Sequence, residues 1–290
     1  MLLPKFEYHR PGELAQALEL MAELGPEARP LAGGTDLLVN LKYQREQPAH
    51  LVSLQDLAEL GELSRQDGGI RLGAGLRVAH LAGGPEACRD LGALVEGAAS
   101  LGSPQIRNRA TLGGNLCSAR PAADLVPPLL VLGARLVLQS RGQERQVELD
   151  EFLQGPGQTL IQPQELLTAV VVDAPPPGSG SAFQKLGIRR AMEIARVNAA
   201  ASLVLAEDGR TIARARVALG AVGPRARLSA RAQEVLEGQT ASEELFAQAG
   251  QAAVEDASPR TCHEFKCEVV SVLTRRCLLA AWQQARGGTA

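Results

Sequence analysis

Hydrophobic and polar positions change period repeatedly over the first 175 residues, then settle into long strands followed by helices. Residues 6–9 read as a short strand. Pro11 and Glu13 open a helix with Leu14, Ala17, Leu18 and Met21 on one face, and Gly25-Pro26 stops it. Residues 29–32 are extended and run into Gly33-Gly34. A helical period returns over residues 36–43. Residues 51–54 and 70–73 read as strands, and residues 78–81 and 91–101 as helices. A helix reaching Leu132 precedes a hairpin of residues 135–139 and 146–149, and residues 166–172 form a further strand. The segment Pro175-Pro176-Pro177-Gly178-Ser179-Gly180-Ser181 is the clearest linker. Beyond it residues 182–186 are extended, and strands at 198–206 and 213–222 turn at Asp208-Gly209. Helices follow at 231–237, 243–254 and from 264 to about residue 285, with Phe265, Val269, Val272, Leu273 and Ala280 on one face of the last. Strands followed by helices predict an α+β unit with its helices on one sheet face. The expected units are residues 1–55, 56–174 and 182–290.

Composition narrows the function. Apolar residues make up 45% of the 290, enough for a sizeable core, but aromatics only 3%, so aliphatic side chains must fill it. With 30 basic and 32 acidic residues the net charge is -2, which argues against a nucleic-acid-binding surface. The longest apolar stretches, 125–134 and 197–206, hold Pro127, Pro128 and Asn198 and are too short to span a membrane. The first residues carry no signal-peptide pattern, so a cytoplasmic protein is expected. The cysteines Cys88, Cys117, Cys262, Cys267 and Cys277 are odd in number, widely spaced and without a C-x-x-C, a poor disulfide framework. Cys262-His263 with Cys267 is loosely metal-like. The stronger reading puts Cys267 and Cys277 on the apolar side of the last helix, where free cysteine is common. No metal site is expected.

Two glycine-rich segments carry the candidate chemistry: Leu31-Ala32-Gly33-Gly34-Thr35-Asp36 and Ala110-Thr111-Leu112-Gly113-Gly114-Asn115. Paired glycines let backbone approach backbone or ligand closely, and consecutive N–H groups at such a turn form a nest for an anion. The first nest stands before a helix, whose N-terminus favours phosphate. In the second, Gly113 and Gly114 are expected to expose N–H groups, Thr111 a hydroxyl and Asn115 an amide, with Ser118 and Asp124 shortly downstream. Either segment alone reads as a tight turn; the two together point to one diphosphate, hence a dinucleotide. The spacing fits neither the dinucleotide G-x-G-x-x-G nor the P-loop pattern.

Ala32-Gly33-Gly34-Thr35-Asp36, the run from Ser103 through Arg107, Asn108 and Arg109 to Asn115, and the run from Arg189 and Arg190 through Met192, Glu193, Ile194 and Arg196 to Ala200 together resemble the FAD-binding (medium) subunit of molybdenum hydroxylases. That family includes the medium subunit of carbon monoxide dehydrogenase and the flavin part of xanthine dehydrogenase, and the resemblance covers essentially the whole chain. Residues 152–159 and 220–224 match further family stretches. The resemblance implies an α+β chain: a two-subdomain FAD-binding fold of the vanillyl-alcohol-oxidase (PCMH) type, followed by a C-terminal α+β domain with a small antiparallel sheet and helices. It implies that Arg29, Pro30, Leu31, Ala32, Gly33, Gly34, Thr35 and Asp36 wrap the FAD diphosphate, and that Thr111, Gly113, Gly114 and Asn115 make a second contact there. Cys117 and Ser118 match positions beside the ribityl chain and ring. Asp124 matches a cofactor-contacting carboxylate, Leu101 and Gly102 the adenine side, Leu167 a ring contact and Lys185 a basic cofactor contact. Leu101 stands where an aromatic stacks in some relatives. No cysteine-rich insertion follows the second glycine pair, which argues against the benzoyl-CoA reductase branch.

Arg107 and Arg109 are read evenly between a functional contact, with phosphate or with another subunit, and a solvated loop. Arg189 and Arg190 are read as a partner-facing patch, Arg196 as a charged strand edge. His9, His50, His80 and His263 are read as ordinary surface or core histidines and Trp282 as packing of the last helix. The expected function is an electron-transfer FAD subunit with no catalytic residue of its own. It would work with an iron–sulfur small subunit and a molybdopterin large subunit and pass electrons to NAD or another acceptor. The alternative is a free-standing FAD-dependent oxidoreductase with its own small substrate; a degenerate binding protein is the third class.

Overall fold

The computed structural model describes residues 3–66, 68–189 and 192–287. The chain forms three layered units in sequence. In the first, β1 (Glu7–His9), α1 (Leu14–Leu24), β2 (Ala28–Leu31), α2 (Leu37–Lys42) and β3 (His50–Ser53) build a three-stranded sheet of order β1-β3-β2. Both pairings are parallel, with His50 opposite Glu7 and Ala28. The helices are therefore crossovers, as parallel neighbours require. α1 buries Ala17 and Met21, which cluster with Val52 and with Leu57, Leu60 and Leu166 from the next unit.

The second unit opens with β4 (Leu63–Gln66) and β5 (Gly69–Gly73). The helices α3 (Val78–Ala82), α4 (Gly92–Ser100), α5 (Pro104–Arg107), α6 (Leu112–Cys117) and α7 (Val126–Val131) follow. It closes with β6 (Arg135–Ser140), β7 (Gln143–Glu148), α8 (Leu149–Phe152), β8 (Leu153–Gly155), β9 (Gln158–Thr159) and β10 (Leu166–Asp173). The antiparallel sheet has the order β4-β5-β10-β6-β7. β10 is central and reads as an apolar run because both its faces are covered. Phe152, Leu94, Leu112 and Leu129 anchor an aliphatic core between this sheet and its helices. The hairpin strand expected to reach Leu149 ends at Glu148, and Leu149 instead opens α8.

The third unit is the antiparallel sheet β11 (Ser179–Leu186), β12 (Val197–Leu205), β13 (Ile212–Gly220), β14 (Arg227–Leu228) with α9 (Ala230–Leu236), α10 (Glu243–Glu255) and α11 (His263–Gly287) on one face. The other face meets the second unit, for Phe183, Ala200 and Ala218 belong to that unit's core. Small side chains along β12, Ala199, Ala200 and Ala201, let both layers approach. β11 begins at Ser179, inside the stretch expected to be linker. The expected face of α11 is also corrected: Phe265 and Val272 are exposed, and the buried stripe is Val270, Leu273, Thr274, Cys277, Leu278, Ala281 and Ala285. A buried Thr and Cys in that stripe disguise it in the sequence. Cys277 is fully buried, with its thiol on the Ala199 carbonyl, whereas Cys267 is half-buried.

At Gly180 an added Cβ would strike the Ala281 carbonyl oxygen of α11 and sit 2.8 Å from the Ala285 nitrogen. Gly180→Ala should therefore cost about 1–3 kcal/mol by forcing α11 off the sheet, measured as a lower denaturation midpoint in urea.

Candidate functional site

The first glycine segment leaves the end of β2 and enters α2. Gly33 lies flat on the second unit: a Cβ there would run into the Arg109 carbonyl oxygen and come within 3.0 Å of the Ala110 Cα. Gly34 has φ 74, a left-handed turn that a side chain resists. The carbonyls of Gly34 and Asp36 accept from Leu38 and Asn40 of the helix. The backbone N–H groups of Gly33, Gly34, Thr35 and Asp36 donate to no group among the described residues, and the Asp36 side chain makes no cap bond. Four consecutive free donors at a helix start form a cradle for an anion.

The second segment differs from expectation. Thr111 is the N-cap of α6, and its hydroxyl accepts from Gly114 N–H at 3.1 Å. Gly113 N–H donates to the Ala74 carbonyl at 2.8 Å, Leu112 N–H to Leu76 at 2.9 Å and Asn115 N–H to Thr111 at 3.1 Å. The predicted open nest at Gly113 and Gly114 is therefore a closed helix start. Gly113 is needed for packing, since a Cβ there would lie 2.8 Å from the Ala74 Cβ.

Both segments run from one cavity to another. Ala32 and Thr111 line a cavity of about 420 Å³, together with Gln55, Arg77 and His80. Asp36, Asn115 and Ser118 line one of about 720 Å³, which Leu101 and Asp124 also line. The cradle sits between them. Around the larger cavity Arg45, Arg120, Arg260 and Lys266 outnumber Asp36 and Asp124, so its field favours an anion. Asn115 lines this wall, and its Oδ1 is buried without a partner among the described residues, an arrangement that is costly unless a ligand group completes it.

Asp124 closes the inner end. Lys185, from β11, places Nζ 2.6 Å from Asp124 Oδ2 and 3.2 Å from the carbonyls of Ser100 and Glu193. Asn198 of β12 donates to Asp124 Oδ1 at 3.2 Å. The pair is almost wholly enclosed, with side-chain exposures of 4% and 7%. Burial raises the Asp124 carboxyl above its usual range, against the opposing pull of Lys185 and Asn198. All three units thus meet at this cleft: the cradle from the first, α6 and Asp124 from the second, Lys185 and Asn198 from the third.

Among the remaining predicted site residues, Arg29, Pro30, Gly102, Cys117 and Leu167 line neither cavity. Arg29 bonds the Pro26 and Ala28 carbonyls and faces Glu46 at 3.5 Å. Leu167 is buried in the second unit's core and Leu31 in the first's. Gly102 takes φ 52, and its carbonyl accepts from Met192 N–H. Burial pushes the Cys117 thiol up to about 12, which removes it as a nucleophile. Arg107 donates to the Leu101 carbonyl at 2.9 Å and Arg109 to Gln55 at 3.1 Å, so both tie loops together. Arg189 folds back on the Met192 carbonyl; Arg190 lies outside the described residues. Arg77 escaped sequence reasoning because a lone arginine between strand and helix carries no motif; it bonds the Arg109 carbonyl under the cradle.

Residues 4–175 match the profile of the FAD binding domain in molybdopterin dehydrogenase, and residues 181–281 that of the CO dehydrogenase flavoprotein C-terminal domain. The chain belongs to the FAD-binding subunits of the molybdopterin dehydrogenase oxidoreductases. Its relatives include the xanthine dehydrogenase FAD-binding subunit of Escherichia coli O157:H7, 32% identical over 97% of both chains. The carbon monoxide dehydrogenase medium chain of Hydrogenophaga pseudoflava is 30% identical over 97% of this chain and 99% of its own. Among solved structures, carbon monoxide dehydrogenase from H. pseudoflava superposes with a TM-score of 0.92 at 30% identity, covering 98% of this chain and 99% of that one. Quinoline 2-oxidoreductase from Pseudomonas putida 86 gives 0.91 at 30% identity, covering 99% and 100%. The cofactor of this FAD-binding subunit fits what the geometry offers: a free N–H cradle between two cavities, a basic surround and an orphaned amide oxygen.

Lys185→Met should leave the Asp124 carboxylate enclosed without its counter-charge and cost about 3–5 kcal/mol. Most of that loss should return in the Asp124→Asn/Lys185→Met double variant, read as a thermodynamic cycle in denaturant.

Proposed function

We propose that this chain is the electron-transfer flavoprotein of a cytoplasmic molybdenum hydroxylase complex, working beside an iron–sulfur subunit and a molybdopterin subunit. The observation that carries the reading is the end-to-end match to chains named as parts of larger enzymes, including the 6-hydroxypseudooxynicotine dehydrogenase complex subunit alpha, 34% identical over 98% of this chain and 96% of its own. Among the described residues no helix is long and apolar enough to cross a membrane. An apolar rim supports a docked partner: Ile188, Met192 and Ile194 are 75%, 59% and 80% exposed, and Ile194 stands at the mouth of the larger cavity.

FAD held here would supply the redox chemistry, relaying electrons between a partner's clusters and an external acceptor such as NAD. The protein's residues hold and orient it. Gly33, Gly34, Thr35 and Asp36 give their N–H groups to the diphosphate. Ala32, Thr111 and Arg77, which line the smaller cavity, would face one half of the dinucleotide; Leu101, Asn115, Ser118 and Asp124, which line the larger, would face the other. Thr111 and Gly114 fix the start of α6 rather than touch phosphate. Lys185 fixes Asp124 in position, while Leu31, Gly113 and Leu167 act through the packing behind the cleft rather than at its surface.

Gly33→Ala should lift the cradle off Arg109 and lower FAD affinity at least about tenfold. Asn115→Leu should lower it about as much, by the loss of one buried hydrogen bond; fluorescence titration of the stripped protein with FAD measures both. The electron-transfer role is tested by purifying the chain from cells that also express its genomic neighbours. Co-purification with an iron–sulfur subunit, and cluster reduction preceding flavin reduction in stopped flow, is the expected result. A chain that purifies alone, loaded with FAD, and turns over a small substrate unaided would overturn it in favour of a free-standing oxidoreductase.

A further inference from the structure

A second cluster lies away from the cleft. Glu7 and His9 are two residues apart on β1 and share a sheet face, and His50 on β3 pairs in register with Glu7. His9 Nε2 is 3.1 Å from His50 Nδ1, and Glu7 Oε2 is 3.4 Å from His50 Nδ1 and 3.9 Å from His9 Nε2. The three ligand atoms all lie within 4.8 Å of one another. The ring centroids are 5.2 Å apart at 43°, so the rings do not stack; their nitrogen edges converge. The imidazoles are only 24% and 17% exposed, while Glu7 is 74% exposed and closes the outer side. None of the three lines either cavity.

Ligand atoms about 2.0–2.2 Å from one tetrahedral ion lie about 3.3–3.6 Å from each other, and the observed separations bracket that range. Two imidazoles and a carboxylate are the donor set of a zinc-class divalent ion, with a fourth position left to water. We propose that Glu7, His9 and His50 bind such an ion, a clasp that fastens β1 to β3. The clasp has a structural purpose: β1 is three residues long, stands at the sheet edge and, among the described strands, pairs with β3 alone.

The test is equilibrium dialysis of the FAD-loaded chain against zinc chloride, with bound metal and melting temperature measured. Wild type should hold one zinc ion per chain and melt higher with zinc. His9→Ala and His50→Ala should each weaken binding at least about tenfold and abolish the zinc-dependent rise in melting temperature, which reports linkage to folding. Glu7→Gln should weaken binding less. His263→Ala serves as the control, since His263 Nδ1 and the Cys267 thiol are 3.6 Å apart and form a rival site; it should change nothing. If His50→Ala does not fold, His9→Ala and Glu7→Gln decide the matter. Wild type that retains no zinc, binding untouched by His9→Ala, or binding lost with His263→Ala would reduce the cluster to a histidine–histidine hydrogen bond.

Discussion

The structure depends on one close backbone contact. Gly33 presses on the carbonyl of Arg109 with no room for a Cβ. That contact joins the parallel sheet of the first unit to the helical layer of the second, and it holds the loop after β2 open. The loop rests here on backbone, and its own N–H groups have no partner among the described residues. The same contact sets the cradle between the two cavities. A ligand that fills both and carries charge in its middle is a dinucleotide.

A second constraint brings in the last unit. Asp124 and Lys185 are both enclosed, and each is needed to keep the other tolerable. Lys185 comes from β11, so docking of the third sheet is what shapes the inner wall of the larger cavity. Asn198 of β12 reinforces it from the next strand. The three units therefore form one site, although each has largely its own core.

The sequence made the fold class legible because its periodicity is clean where strands and helices are long. β10, β12, β13 and α10 all announce themselves by pattern. The short elements did not. α6 holds two glycines in its first turn, and glycine disfavours helix, so the segment reads as a nest. The capping role of Thr111 was not legible beside its expected contact with the ligand. The face of α11 was misjudged because Thr274 and Cys277 hide in its buried stripe while Phe265 and Val272 point outward. At the cleft, residue types alone pointed to the close approach at Gly33 and the left-handed turn at Gly34. Arg77, Arg45, Arg120 and Arg260 stayed invisible because their placement comes from loops of different units meeting in space. The approach of His9 and His50 was equally hidden, since forty-one positions separate them and only strand pairing brings them together.

The most direct measurement is a crystal structure of the FAD-loaded protein. The account predicts diphosphate oxygens about 2.9 Å from the N–H nitrogens of residues 33–36, with the two ends of the dinucleotide lying in the two cavities. Diphosphate seated instead on Gly113 and Gly114, with those amides withdrawn from Ala74 and Thr111, would contradict it.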